Sequence, residues 1–366
     1  LAGLGTAVPA MTISRAESLH VANILCGPYL TDVDWLPGVY DHCGVETRHQ
    51  ALGRPLIEDL LAGTRHSGSP FLPGPPGGPT TAARMAVYAR EAPPLAIEAA
   101  REALADANIA PGAVTHLVTV SCTGFMAPGI DTILLKELNL AASTQRTHVG
   151  FMGCHGAING LRVAAALVAA DPVAVVLLVA VELCSLHYYY GAEPGKVIAN
   201  ALFSDGAAAA VIAGHGAERK VLAAGSILIP DSEREMAWHI GDHGFTMTMT
   251  KQIPKLIASH LRAWLEPWLR SQGFTLADIA DWAVHPGGPK ILDAVQASLA
   301  LAPPDLAMSR EVLRTNGNMS SPTVLFILQK LRQESKAGPT LLLGFGPGLI
   351  AEALMIGESP SNVVCS

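Results

Sequence analysis

The chain is short of charge and of aromatic rings: of its 366 residues, 15% are Asp, Glu, Lys or Arg and 5% are aromatic, while half are apolar. It has no block of Lys and Arg, and its net charge is −7. A nucleic acid or an anionic membrane surface is therefore excluded as its main partner. It has no unbroken apolar run of the ~20 residues that a membrane span needs, and the longest run, residues 173–181, is strand-sized. No charged leader with a cleavage site precedes the first strand-like segment, residues 1–10, so no signal peptide is expected and the cytoplasm is the expected compartment. Six cysteines, Cys26, Cys43, Cys122, Cys154, Cys184 and Cys365, follow neither a metal-ligand spacing nor a disulfide pattern. They are expected to be reduced thiols. His42 beside Cys43 invites a zinc reading, but no second pair follows to complete four ligands, and no metal site is expected.

What the chain has is a core-forming composition and an internal repeat. Its length allows two packed domains or one duplicated unit. Residues 19–29 read weakly as a helix. Residues 65–79, RHSGSPFLPGPPGGP, read as a surface loop, and helical pattern resumes at once after it. Pro93 and Pro94 are expected to kink or divide that stretch. In the first half a helical pattern at 96–107 leads to a strand at 116–120 and the turn SCTG. In the second half a helical pattern at 255–269 leads to a strand at 281–284 and the turn HPGG. The following segments match as well: GFMGCHGAINGLRVAAAL then the strand VAVVLLVAVE, against TNGNMSSPTVLFILQKL then the strand TLLLGFGPG. The two long strands lack polar alternation, as expected for strands covered on both faces. The pattern predicts an α/β fold of two duplicated halves joined near residues 214–220, with residues 1–216 as one domain and 217–366 as the other.

The repeat also ranks the reactive residues. Cys154 follows a strand end and opens an apolar-periodic helix, where unpaired N–H groups and the helix dipole favour thiolate. Taken blindly, a cysteine is more often an inert small hydrophobe. Asn318 takes the matching place in the second half, where an Asn also serves to cap a helix. His285 ends the strand before HPGG. If the halves pack about a pseudo-twofold axis, strand ends and helix starts converge and the three side chains share one pocket.

GFMGCHGAINGLRVA, NALFSDGAAAAV, VHPGGPKIL, GNMSSPTVLFIL and GFGPGLIAEALM, in this order and spacing, resemble a type III polyketide synthase of the chalcone synthase superfamily, bacterial in type, over nearly the whole chain. The resemblance implies a thiolase-like fold layered αβαβα, a homodimer, and a catalytic triad of Cys154, His285 and Asn318. It implies acyl-CoA and malonyl-CoA as substrates, with decarboxylative condensation on a Cys154 thioester and cyclisation to a pyrone, resorcinol or polyhydroxylated aromatic. No resident cofactor is implied. Phe203 matches the family's gating phenylalanine, and the loop of Gly344, Phe345, Gly346, Pro347 and Gly348 matches the one that shapes the cyclisation cavity. Met247 stands for a second gating phenylalanine. Cys122 and the segment holding Cys184 replace threonine-bearing strings of plant enzymes and resemble those of tetrahydroxynaphthalene synthases. Ala127 stands where plant enzymes place a methionine that reaches the partner subunit. Arg48 and Lys290 are the cations available for coenzyme A. Two other readings remain at this point: a ketoacyl synthase of the initiation type using acyl carrier protein, and an inactive acyl-binding scaffold on the same fold.

Overall fold

The computed structural model describes residues 1–74, 77–215, 219–334 and 337–358. The expected boundary between residues 216 and 217 lies outside them, as does Cys365. The first half carries strands β1 (Gly3–Ala7), β2 (Thr12–Ser14), β3 (Thr47–His49), β4 (His116–Ser121), β5 (Gln145–Gly150), β6 (Val175–Leu183) and β7 (Asp205–Ala213). Its helices are α1 (Arg15–Leu25), α2 (Leu36–His42), α3 (Arg54–Ala62), α4 (Thr81–Asp106), α5 (Ile130–Glu137), α6 (Gly156–Ala170) and α7 (Pro194–Leu202). The second half carries β8 (Lys220–Leu228), β9 (Met236–Gly241), β10 (Gly244–Met249), β11 (Asp281–Val284), β12 (Thr340–Gly346) and β13 (Ile350–Gly357). Between them run α8 (Ile253–Ser271), α9 (Pro289–Leu299), α10 (Ala307–Asn316) and α11 (Thr323–Glu334).

The duplication is visible in the sheets. The first is ordered β1-β7-β6-β4-β5 and the second β8-β13-β12-β11. In the first, β4 and β6 run parallel, and β6–β7 and β7–β1 antiparallel. In the second, β11 and β12 run parallel, and β12–β13 and β13–β8 antiparallel. The halves therefore share one topology, to which the first adds β5. Residues alternate between layers along each central strand: Leu177, Val179 and Val181 face the core under α4, while Val176, Leu178 and Ala180 face a middle core shared with α6 and α11. The outer face of the second sheet, with Trp282, Val284, Leu341 and Leu343, packs on α8 and α9. The result is the αβαβα layering, and burial on both faces is why these strands show no polar alternation.

The expected division at the proline pair does not occur. Pro93 and Pro94 lie inside α4, which runs undivided from Thr81 to Asp106. Each proline removes one helix hydrogen bond and disfavours the helix by roughly 3 kcal/mol, but α4 is held along its length. Ala92, Pro93, Ala96, Ala99, Ala100 and Ala103 are all buried, and glycines in β1 let the helix sit close. A Cβ on Gly3 would lie 2.4 Å from the Ala103 carbonyl oxygen, and one on Gly5 2.3 Å from that of Ala99. Tertiary burial outweighs local propensity.

Candidate active site

β5 ends at Gly150, and the chain turns through Phe151 and Gly153, both at positive φ, into a short 3-10 turn, Gly153–His155, that feeds α6. Cys154 is buried in that turn, just ahead of the helix, not inside its first turn. The turn is tight because small residues surround it: a Cβ on Gly153 would lie 2.3 Å from Pro347 Cδ, and one on Gly156 2.9 Å from Val120 Cγ1. In the second half Asn318 holds the matching place before α11. It does not cap that helix, which starts at Thr323; its Oδ1 accepts a 2.8 Å hydrogen bond from the Ser320 N–H. The side chains of Asn318 and Ser320 lie near the Cys154 thiol and favour its charged form. Sequence spacing brought Cys154 and Asn318 to one place, as the repeat requires.

His285 follows β11 directly, its N–H donating to the Leu343 carbonyl of β12 at 2.8 Å. The same strand continues through Gly344 and Gly346, which pack on the residue after the cysteine. A Cβ on Gly344 would lie 3.1 Å from His155 Cβ, and one on Gly346 2.5 Å from His155 Nε2. His285 is 1% exposed. Among the described residues, the buried side-chain nitrogens and oxygens that lack a hydrogen-bond partner are both ring nitrogens of His285, His155 Nε2 and Asn159 Nδ2. Folded proteins satisfy nearly all such groups, so these mark unpartnered polar atoms grouped about His155, the residue after Cys154.

Burial governs the charges. It pushes the Cys154 thiol up to about 11 against the opposing influence of Ser320 and Asn318, and pushes His285 down to about 3, with His155 adding to the effect. Burial thus works against the expected thiolate at a helix end. Desolvation favours the neutral thiol and the neutral imidazole over their charged forms.

Beside these residues lies a cleft lined by Cys122, Cys184, Phe203, Met247, Pro347 and Arg48 among others. Phe203 forms an isolated bridge to Asn318: Asn318 N–H donates to the Leu202 carbonyl and Ser204 N–H to the Asn318 carbonyl, each at 2.9 Å. Cys122 Sγ lies 3.4 Å from Ser320 Oγ. Of the GFGPG loop, Pro347 lines the cleft; Gly344 and Gly346 seat the nucleophile turn, Gly348 turns the chain at φ +81°, and Phe345 points into the α8–α9 core. Phe345 is therefore no cavity wall, because alternation along β12 sends it to the far face. Ala127 is exposed and outside the cleft, ahead of a cis bond to Pro128. Lys290 is exposed in the first turn of α9, also outside it. Arg48 is 3% exposed and already committed: it donates to Ser18 Oγ at 3.2 Å, to the Phe203 carbonyl at 2.9 Å and to the Asn200 carbonyl. It braces the Phe203 segment.

Several cleft residues had no signal specific enough to name them from sequence. The β9–β10 hairpin supplies Trp238 and Phe245. His187 stacks on Phe245 with ring centroids 4.2 Å apart and is edge-on to Trp238. Its Nδ1 accepts from the Phe245 N–H at 2.9 Å, so Nε2 carries the proton that it donates to the Thr123 carbonyl at 2.6 Å. Trp238 Nε1 donates to the Cys122 carbonyl at 2.7 Å. The turn that receives both is held from below by Glu182, a fully buried carboxylate at the end of β6. Glu182 accepts from the N–H groups of Cys122 and Thr123, from Thr123 Oγ1 at 2.6 Å and from Ser321 Oγ at 2.6 Å. A lone acid closing an apolar strand, VAVVLLVAVE, was the visible sign of it.

Two matched α/β halves that place a cysteine turn and an asparagine turn beside one cleft, with a buried strand-end histidine near the residue after the cysteine, fit a condensing enzyme of the thiolase-like class. Residues 42–217 match the family model for chalcone and stilbene synthases, N-terminal domain, and residues 220–360 the model for their C-terminal domain. The chain belongs to the chalcone and stilbene synthase family and is a type III polyketide synthase, an acyltransferase. It is 30% identical to the alpha-pyrone synthesis polyketide synthase-like Pks18 of Mycobacterium tuberculosis, over 96% of this chain and 89% of that protein. It is 32% identical to the 1,3,6,8-tetrahydroxynaphthalene synthase of Streptomyces peucetius subsp. caesius, over 97% of this chain and 92% of the relative. Among solved structures it is similar to PKS-I of the brown alga Ectocarpus siliculosus, with a TM-score of 0.89, 29% identity and 98% of each chain covered.

Proposed function

We propose that this synthase loads an acyl-CoA starter on Cys154, extends it with malonyl-CoA and cyclises the product to a pyrone, resorcinol or polyhydroxylated aromatic. The observation that supports this most is the unpartnered nitrogen on His285, buried within electrostatic reach of His155, the residue after Cys154. From a neutral start, Cys154 Sγ attacks the thioester carbonyl while His285 takes its proton, and the proton leaves with the departing CoA thiolate. Malonyl-CoA then loses carbon dioxide, and the electron pair of the broken bond becomes an enolate. Its oxygen receives hydrogen bonds from one His285 N–H and the Asn318 amide. A histidine kept neutral by burial still carries one N–H for this purpose. Donors fixed where charge develops are worth roughly 3 kcal/mol each in comparable oxyanion sites. The enolate carbon attacks the Cys154 thioester, the thiolate is expelled, and the lengthened chain, now on CoA, returns for another round.

Phe203 and Met247 would gate the cleft, and Cys122 and Cys184 shape its wall. The steps need no resident cofactor or metal, because decarboxylation supplies the carbanion. We read the enzyme as a cytoplasmic homodimer; among the described residues no helix is long and apolar enough to cross a membrane. The test is turnover with malonyl-CoA in the absence of acyl carrier protein, followed by intact-protein mass spectrometry. The wild type is expected to carry an acyl adduct that Cys154→Ala lacks, and Asn318→Ala is expected to load normally but lose carbon dioxide release by about 100-fold. Strict dependence on carrier protein would favour the initiation-type ketoacyl synthase, and an adduct on Cys154→Ala would remove Cys154 from the reaction.

A further inference from the structure

Among the described residues, two cations line the cleft, Arg48 and Lys196. The guanidinium of Arg48 is buried and bonded to Ser18, Asn200 and Phe203, so it has little to offer a ligand that enters from the mouth. Lys196 is placed differently. It lies in the first turn of α7, its side chain 21% exposed, with Nζ 5.0 Å from the centre of the Tyr189 ring. That ring supports the ammonium at the rim, while Cys122 and Cys184 lie buried in the wall of the same cleft. The partner of Nζ is Glu193 Oε1 at 2.7 Å, on a side chain 62% exposed. An ion pair this open to water is worth at most about 1 kcal/mol, so a multiply charged anion displaces it readily.

We propose that Lys196 is a substrate-binding residue at the cleft mouth, its ammonium receiving a phosphate of the CoA carrier while the thioester reaches the floor. The assignment rests on the reading of the site as one that takes CoA thioesters. It adds a cation that lay unnoticed in the segment EPGKVIANALF, and it replaces Lys290 in that role. Lysine suits the task as a mobile point charge, able to follow a phosphate arm that arrives flexible.

The test compares an acyl-CoA with the N-acetylcysteamine thioester of the same acyl group, which has the same reacting atoms and no phosphate. In Lys196→Gln the ratio of KM for the CoA thioester to KM for the N-acetylcysteamine thioester is expected to rise about tenfold, the loss of about one charged contact. Lys196→Arg should restore most of it. Glu193→Gln, which frees the ammonium, should lower the ratio, and the wild-type ratio should rise with ionic strength more steeply than that of Lys196→Gln. An unchanged ratio in Lys196→Gln overturns the proposal, as does an equal rise in KM for both thioesters, which would make Lys196 a packing residue of the rim. A rise of the same size in Lys290→Gln also overturns it, since bulk surface charge would then suffice. If neither thioester is turned over by the wild type, it is the underlying functional reading that fails.

Discussion

Glu182 offers the sharpest quantitative test of how the reaction floor is held. Its two oxygens accept from the Cys122 and Thr123 N–H groups, from the Thr123 hydroxyl and from the hydroxyl of Ser321 in the second half, with Ser121 Oγ at 3.3 Å. In Glu182→Ala the hydroxyls can rotate toward other acceptors, but the two peptide N–H groups cannot. Each buried donor left unpaired costs about 1–3 kcal/mol, so the variant is expected to lose about 4 kcal/mol of stability. Glu182→Gln keeps an oxygen for both N–H groups and turns its NH₂ toward Ser321 Oγ, which can accept. It should lose no more than about 2 kcal/mol, the charge-assisted part of the bonds. Urea unfolding at pH 7 measures both, provided the slope against denaturant stays constant so that the midpoints report stability. A loss below about 1 kcal/mol in Glu182→Ala would refute the reasoning, and so would equal losses in the two variants, because geometry and not charge then carries nothing.

Two further outcomes follow from the same geometry. Gly153→Ala places a side chain at φ +69° and a Cβ 2.3 Å from Pro347 Cδ; acyl loading is expected to slow by about 100-fold as the Cys154 turn shifts, and an undiminished loading rate would show that the turn tolerates it. Burial holds His187 at about 3, below its ordinary 6.5, so the unfolded chain binds the extra proton between those values and stability is lost as pH falls from 6.5 toward 3. In His187→Gln that fall should be shallower by about 1.4 kcal/mol per pH unit, and parallel curves of urea stability against pH would argue against a buried neutral His187.

The architecture was legible because duplication repeats its own signals. The strand ends before SCTG and HPGG and the turns at Cys154 and Asn318 occupy matched places in the two sheets, so spacing alone ranked them above the other cysteines and histidines. Local rules failed where tertiary packing took over. Pro93 and Pro94 forecast a break that burial against β1 prevents, and the dipole argument for a Cys154 thiolate omitted the desolvation that opposes it. Residues whose role depends on facing direction were least readable: Phe345 stands between two glycines that touch the site yet points to the opposite core, and Arg48 has the charge for a ligand but spends its donors on carbonyls. The hairpin bearing Trp238 and Phe245 carries an unremarkable alternating pattern; only the folded chain brings it over the cleft.

The bridge between Phe203 and Asn318 has a bearing on how such an enzyme diversifies. The segment of Phe203 and that of Asn318 are tied across the two halves by a pair of backbone hydrogen bonds, so neither moves without the other. Breadth toward different starters must then come from side-chain rotation and from substitutions along the β9–β10 hairpin. A graft that exchanged the NALFSDG segment without its GNMSS counterpart would shift the door and the anvil out of line together.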